Sequence, residues 1–277
     1  MRLLTFRDGH ATHAARLDGD TAVELPFADV GAILAAGALR TVKHASGPRH
    51  RITDLSLAIP VLNPAKIVCV GQNYRDHIKE QNGTIPKFPT LFNKWPTTLI
   101  GPYDNVMLPS VSEQGDWEVE LAFYIGDHLK HADQRVAAKA IAGYTILNDV
   151  SIRDWQRHTT QFLPGKNFES TTPVGPWMVT ADELDPLNLR LRCTVDGEMM
   201  QDSTTSDFVF SPAAVASYVS TFTTLQPGDL ISTGTPAGVG AFRKPPLYLV
   251  PGSVMKSEIA GIGELINRCV VEAPVLR

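Results

Sequence analysis

Cysteine is scarce in this chain of 277 residues: the three present, Cys69, Cys193 and Cys269, are far apart and odd in number. They offer no disulfide framework, no CxxC redox pair and no zinc spacing, and they read as free thiols of a reducing compartment. Long apolar runs are missing too, so no transmembrane helix is expected, and the first residues lead into polar sequence without the apolar core of a signal peptide. Positive charge is not in excess. The formal net charge is −4 and there is no basic stripe, which argues against a nucleic-acid partner. The expected setting is cytoplasmic, with no membrane partner. Common catalytic signatures are absent as well. No GxGxxG follows a first strand, there is no HExxH, and neither Ser151 nor Ser170 sits in a GxSxG elbow. Internal repeats and low-complexity tracts are also lacking.

What is present is enough apolar sequence, 43% of the chain, to bury a large core without metal or disulfide staples. Residues 2–6 and 21–25 have strand character, 9–12 read as a turn and 27–36 as a short helix. A proline-marked linker over 59–64 suggests a boundary near residue 60, with a small N-terminal α+β domain over 1–60 and a catalytic domain over 61–277. Beyond it, strand patterns recur at 67–70, 91–93, 105–108, 119–125, 144–150, 176–179, 189–195 and 230–233. Helical patterns cover 73–80, stopped by Asn82 and Gly83, then 133–141 and 211–222. Strands outnumber helices and strict βαβ alternation is missing. The expectation is a β-rich α+β core folded as a roll or sandwich.

Glu118 and Glu120 stand two apart in a strand-like run between Gly115 and Gly126. Side chains two apart on a strand share a face, and two like charges held together are costly unless a cation lies between them. Asp149 follows the apolar run 142–147 and supplies a third carboxylate. An all-oxygen set without His or Cys suits Mg²⁺ or Mn²⁺ better than zinc, with Ca²⁺ as a further candidate. Lys166, between a Pro-Gly turn and Phe168, would offset the remaining negative charge. His77 and Glu80, three apart on the short helix, share a face. A carboxylate there orients an imidazole as a general base, and Gly83 and Pro86 beyond the helix suit a mobile lid. Small residues over 232–240 follow a strand and suit an anion, although the Walker ending is absent. Each feature has a plainer alternative: a solvated strand edge, a surface lysine, an exposed His–Glu pair, a tight turn. Spacing alone describes a hard-metal site whose reaction is open.

Taken in order, five segments resemble the fumarylacetoacetate hydrolase family, in its acylpyruvate hydrolase and 2-hydroxyhepta-2,4-diene-1,7-dioate isomerase branch. They are VGQNYRDH (70–77), EVELA (118–122), NDVSIRDWQ (148–156), GKNF (165–168) and STGTPAGVG (232–240). The resemblance spans roughly residues 66–267. It implies a mixed β-roll or β-sandwich core with a small N-terminal domain, usually as a homodimer. Metal ligands fall on Glu118, Glu120 and Asp149, with Mg²⁺ the usual ion. The lid dyad falls on His77 and Glu80, the active-site lysine on Lys166, a glutamine on Gln156 and a carboxylate-binding threonine on Thr235. Gly234, Asn73 and Tyr74 are further substrate contacts by this reading, and Phe88, Phe92, Trp95 and Phe162 are candidates for the acyl end of the pocket. One departure is local: the stretch between Gln156 and Lys166 is shorter than in some acylpyruvate hydrolases.

The activity implied is hydrolysis of a C–C bond in a 2,4-dioxo acid, acylpyruvate-like or fumarylpyruvate-type, to pyruvate plus a carboxylic acid in aromatic-compound catabolism. Isomerisation of a 2-hydroxy-diene diacid, decarboxylation of a β-keto acid and dehydration of a 2-keto-3-deoxy sugar acid share its enolate logic and stay open.

Overall fold

Two neighbouring strands, both read from the sequence, form the centre of the fold. A computed structural model describes residues 1–272, and in it Val119–Ile125 and Ile141–Asn148 are buried along their whole length. They pair antiparallel, with Val119 opposite Asn148 and Phe123 opposite Tyr144. A strand covered on both faces needs no polar alternation. Val119, Leu121, Phe123 and Ile125 face one apolar cluster, shared with Leu191, Cys193, Met255 and Leu265. Ala122 and Tyr124 face another, shared with Leu3, Ile33, Leu34, Ile67 and Leu230.

Around this pair the described residues build a 12-stranded mixed sheet. Val119–Ile125 is flanked antiparallel by Leu230–Ser232, which pairs parallel with Ile67–Gly71. Ile141–Asn148 is flanked by Thr172–Thr180. The first strand, Arg2–Asp8, adds to that edge with Leu3 opposite Met178. Ala11–Asp18, Thr21–Glu24 and Arg49–Arg51 continue the sheet outward. The N-terminal strands and the central strands therefore belong to one sheet. A separate five-stranded sheet, ordered Glu198–Thr204, Arg190–Val195, Val254–Ile259, Gly263–Val271 and Val106–Leu108, packs on the central strands. The architecture is the β-rich α+β sandwich that the sequence implies.

The expected helices form where their capping residues place them. Asp29 accepts from the Ala32 N–H at 2.7 Å ahead of Val30–Ala35, Asp133 accepts from Val136 at 2.8 Å ahead of Gln134–Ala140, and Ser211 caps Pro212–Phe222. Three details depart from the sequence reading. The turn expected at 9–12 is confined to residues 9 and 10, and Ala11–Asp18 is a full strand. The strand expected to reach Val150 ends at Asn148, after which Ser151–Ile152 pairs with Gly115–Asp116. The strands Glu198–Thr204, Val254–Ile259 and Gly263–Val271 carry polar residues on their outer faces, so their runs are not conspicuously apolar. Among the described residues no helix is long and apolar enough to cross a membrane.

Strand direction decides where the chemistry gathers. Val119–Ile125 runs antiparallel to both neighbours, so its start lies beside their ends. Glu118 and Glu120 at that start therefore meet Asp149 just past one neighbour and Ser232 to Thr235 at the end of the other.

Candidate active site

Oxygen atoms of Glu118, Glu120 and Asp149 lie within 4.8 Å of one another, and all three side chains are buried. Backbone pairing fixes the approach: the Asp149 N–H donates to the Glu118 carbonyl at 2.9 Å, and the Glu118 N–H donates to Asn148 Oδ1 at 3.0 Å. Glu120 is clamped through one oxygen, which accepts from Ser232 Oγ at 2.5 Å and from the Gly234 N–H at 2.9 Å. Gly234 has φ +92°, and a Cβ there would lie 2.8 Å from the Val70 carbonyl, so this close approach requires glycine.

Three cations face these carboxylates. Lys166 Nζ donates to Glu118 Oε2 and to Asp149 Oδ2, both at 2.7 Å. Lys94 Nζ donates to Asp149 Oδ1 at 2.6 Å. Arg153 stands 2.7 Å from Glu118 Oε1 and donates to Asp116 Oδ2 at 2.8 Å. Asp116 in turn accepts from the Gly240 and Ala241 N–H groups at 2.7 and 2.9 Å, which ties the glycine-rich loop to the site. Lys166 is brought in by the short helix Leu163–Lys166, packed against Arg153–Gln156. A Cβ on Gly165 would come within 2.5 Å of Gln156, so the two helices approach this closely only because residue 165 is glycine.

The electrostatics are unequal across the triad. Burial would raise the Glu118 carboxyl, but Lys166 and Arg153 outweigh it and bring it down to about 2. Burial raises Glu120 well above the usual carboxylate range, and the charges of Asp149 and Glu118 push the same way. Burial works against the Lys166 ammonium, yet Asp149 and Glu118 outweigh it and hold its pKa above the ordinary lysine value. Four buried carboxylates, Asp116 included, face the cations of Lys94, Arg153 and Lys166, so full ionisation would leave one excess negative charge, the charge that the raised Glu120 carboxyl resists. A hard divalent cation fits this donor set. It would reverse the balance to one excess positive charge, as an anionic substrate requires.

These groups open onto a cavity of about 380 Å³ lined by His77, Glu118, Glu120, Gln156, Lys166 and Thr235. Asp149 lies directly behind it, fully buried, and Glu80 lies behind His77, accepting from its Nδ1 at 2.9 Å. The helix Arg75–Glu80 that carries the pair is fastened down: Glu80 Oε1 accepts from the Gly238 N–H at 3.0 Å. Gln156 Oε1 accepts from Arg153 at 2.9 Å, which leaves its amide N–H₂ as the donor end. The Thr235 hydroxyl donates to the Val119 carbonyl at 3.0 Å and accepts from Gln201 at 2.8 Å, so its one proton is already committed.

Asn73, Tyr74 and Gly234 do not face the cavity. The Asn73 amide clips the carbonyls of Phe210 and Thr233 at 3.0 and 2.8 Å. Tyr74 is fully buried edge-on against Phe208, and the Gly234 N–H is spent on Glu120. Of the four aromatics, Phe92 and Phe162 line the cavity, while Phe88 and Trp95 are exposed. Sequence reasoning missed Lys94, Asp116, Arg153, Gln72, Gln81 and Ser232. The Arg153–Gln156 spacing of three on one short helix is the one signal that could have exposed a second cation.

A sandwich with a buried carboxylate triad at its strand ends defines a class of protein, and the chain belongs to the fumarylacetoacetate hydrolase family: the family profile described as "Fumarylacetoacetate (FAA) hydrolase C-terminal" matches residues 66–270. Members of this family are enzymes. The chain is 48% identical over 226 residues to oxaloacetate tautomerase FAHD2B, mitochondrial, of Bos taurus, covering 80% of this chain and 71% of that protein. It is 47% identical over 226 residues, with the same coverage, to oxaloacetate tautomerase FAHD2A, mitochondrial, of Homo sapiens. Among solved structures, fumarylacetoacetate hydrolase from Exiguobacterium antarcticum superposes with a TM-score of 0.90 at 33% identity, over 98% of this chain and 100% of that one. The 2-hydroxyhepta-2,4-diene-1,7-dioate isomerase of Mycobacterium marinum gives 0.82 at 33% identity, over 99% and 100%.

Proposed function

We propose that this enzyme interconverts the keto and enol forms of a short 2-oxo acid of the oxaloacetate type. The observation that carries the reading is the pairing, in one cavity, of a buried carboxylate–cation cluster with an oriented histidine. The two relatives named oxaloacetate tautomerase support the same chemistry. Glu118, Glu120 and Asp149 would hold the divalent cation, for which Mg²⁺ is our assignment. When bound, such an ion supplies Lewis-acid stabilisation to an oxygen on which negative charge develops.

The chain's own groups do the rest. His77 takes a proton from carbon 3, with Glu80 fixing the ring and steadying the imidazolium. The electron pair of that C–H bond becomes the C2–C3 double bond, and charge moves to the C2 oxygen. The ammonium of Lys166 and the Gln156 N–H₂, both lining the cavity, would stabilise that oxygen. The His77 imidazolium gives its proton to that oxygen, directly or through a water, which completes the enol and regenerates the neutral ring, and the reverse sequence restores the ketone. Phe92 and Phe162 cover one side of the cavity and limit the entry of water.

Acylpyruvate hydrolysis is the second reading, and the His77–Glu80 dyad favours it, because an oriented imidazole can equally deprotonate a water. One experiment separates the two. With Mg²⁺ present, the ultraviolet enol band of oxaloacetate is followed in parallel with pyruvate release from a panel of acylpyruvates. We expect rapid, His77-dependent decay of the enol band and negligible cleavage. Efficient pyruvate release from an acylpyruvate, with the oxaloacetate band unaffected, would replace tautomerisation by hydrolysis.

A further inference from the structure

We propose that Gln72 and Gln81 are positioning residues that fix the tautomer of His77, so that the lone pair of its Nε2 is presented to the cavity. The inference rests on the reading of His77 as the group that moves the proton.

The hydrogen bonds run in one direction. Gln72 Nε2 donates to Gln81 Oε1 at 3.3 Å. Gln81 Nε2 lies 2.5 Å from His77 Nε2. His77 Nδ1 lies 2.9 Å from Glu80 Oε2, and the other oxygen of Glu80 accepts from the Gly238 N–H at 3.0 Å. An ionised carboxylate only accepts, so Nδ1 carries the ring proton and Nε2 of the neutral ring is left as an acceptor. The group against Nε2 must then be an amide N–H₂. Gln72 enforces that choice by engaging the oxygen of the same amide, which turns the nitrogen of Gln81 towards the ring.

Two further observations fit this role. Gln72 has φ +56°, a left-handed conformation that a side chain of this type rarely adopts. It directly follows the strand Ile67–Gly71, and its side chain lines the cavity together with Gln81 and His77. The ring of Phe242 stands edge-on to the imidazole, with centroids 5.9 Å apart, and hinders its rotation. Substrate entering the cavity displaces the Gln81 N–H and uncovers a lone pair that already points the right way.

The test is ¹⁵N spectroscopy of the histidine rings in the full-length, Mg²⁺-loaded protein. His77 is assigned among the eight histidines by its loss in His77→Asn. The wild type is expected to show the Nδ1–H tautomer. Gln81→Met leaves Glu80 as the one remaining hold on the ring, and is expected to admit a detectable share of the Nε2–H tautomer and to lower kcat for keto–enol conversion about tenfold, with KM within about twofold. Gln72→Gly is the control against misfolding, because glycine accepts the left-handed backbone. It is expected to fold at least as well as the wild type and still to loosen the tautomer. Gln81→Glu would stabilise a proton on Nε2 and move the acidic limb of the kcat/KM profile to higher pH. Glu80 on the same helix, Asp76, whose carboxylate accepts from the His77 backbone N–H, and Glu118, Arg153 and Lys166 across the cavity are common to every variant.

An Nε2–H tautomer in the wild type would overturn the proposal, as would a Gln81→Met variant with tautomer and kcat both unchanged. A loosened tautomer with undiminished turnover would leave the positioning chain standing and remove His77 from the chemistry instead.

Discussion

Lys94 is a buried ammonium whose charge is answered by one carboxylate: its Nζ donates to Asp149 at 2.6 Å and to the Val150 carbonyl at 3.2 Å. Taking away one partner of such a pair leaves the other charge buried and poorly compensated, at a cost of about 3 kcal/mol. Lys94→Met is therefore expected to lower the urea unfolding free energy by about that amount. The same substitution removes a positive charge beside the metal ligands. Mg²⁺ should bind more tightly and the anionic substrate more weakly, so titration calorimetry and KM are expected to move in opposite directions. If Mg²⁺ affinity were unchanged, Lys94 would have no part in the electrostatics of the site. Nothing in the sequence around Lys94 marks it, since lysines are mostly exposed and its partner lies 55 positions away. Glu118 and Glu120 are legible because their spacing of two places both on one strand face. Lys94 becomes legible only when the fold brings Asp149 to it, and so does the pairing of Arg153 with Asp116, 37 positions away.

The helix Arg75–Glu80 has six residues, too few to persist on its own, so its position is set by its anchors. Arg75 donates to the carbonyls of Asp207, at 3.0 Å, and Phe208. Asp76 accepts from Ser203 at 2.9 Å and from the Ala237 N–H at 3.2 Å, while its own N–H donates to Asp207 at 2.8 Å. Burial raises the Asp76 carboxyl above its ordinary value, opposed by the Ser203 and Ala237 hydrogen bonds and reinforced by Asp207. A carboxyl raised on folding holds its proton more tightly in the native state than in the unfolded one. Its contribution to stability is greatest below the ordinary carboxylate range and is lost as pH rises through the folded value. Relative to Asp76→Asn, the wild type should therefore lose stability as pH rises from the ordinary aspartate value of about 4 through the higher folded value. Denaturant unfolding of both proteins at several pH values measures this, and a pH-independent difference would mean that Asp76 titrates alike folded and unfolded. The helix itself is readable from its pattern and its Asn82 stop. Its anchors, all more than 120 positions away, are not.

At the scale of the whole molecule, the central strands are legible because they are mostly apolar and rich in β-branched and aromatic residues. The strands Glu198–Thr204, Val254–Ile259 and Gly263–Val271 are not, because polar residues interrupt them and only pairing reveals them. The continuity of the sheet across residue 60 is likewise a property of register, with Leu3 set opposite Met178, and no local signal announces it. The carboxylate triad joins the ends of two neighbouring antiparallel strands of this sheet, so an ion held there must be released when the molecule unfolds. A ligand that binds the folded form alone, at a hundredfold excess over its Kd, adds about 2.7 kcal/mol. For a chain of this size that corresponds to a rise in Tm of about 5 °C. We expect Mg²⁺ to produce such a rise and chelation to reverse it. Glu120→Gln tests the cause. It removes the excess buried negative charge while keeping an oxygen for Ser232 and Gly234, so without metal the variant should melt above the wild type, and Mg²⁺ should no longer raise its Tm. Should the variant melt lower without metal yet respond fully to Mg²⁺, the crowding of charge at Glu120 would not be what draws the cation.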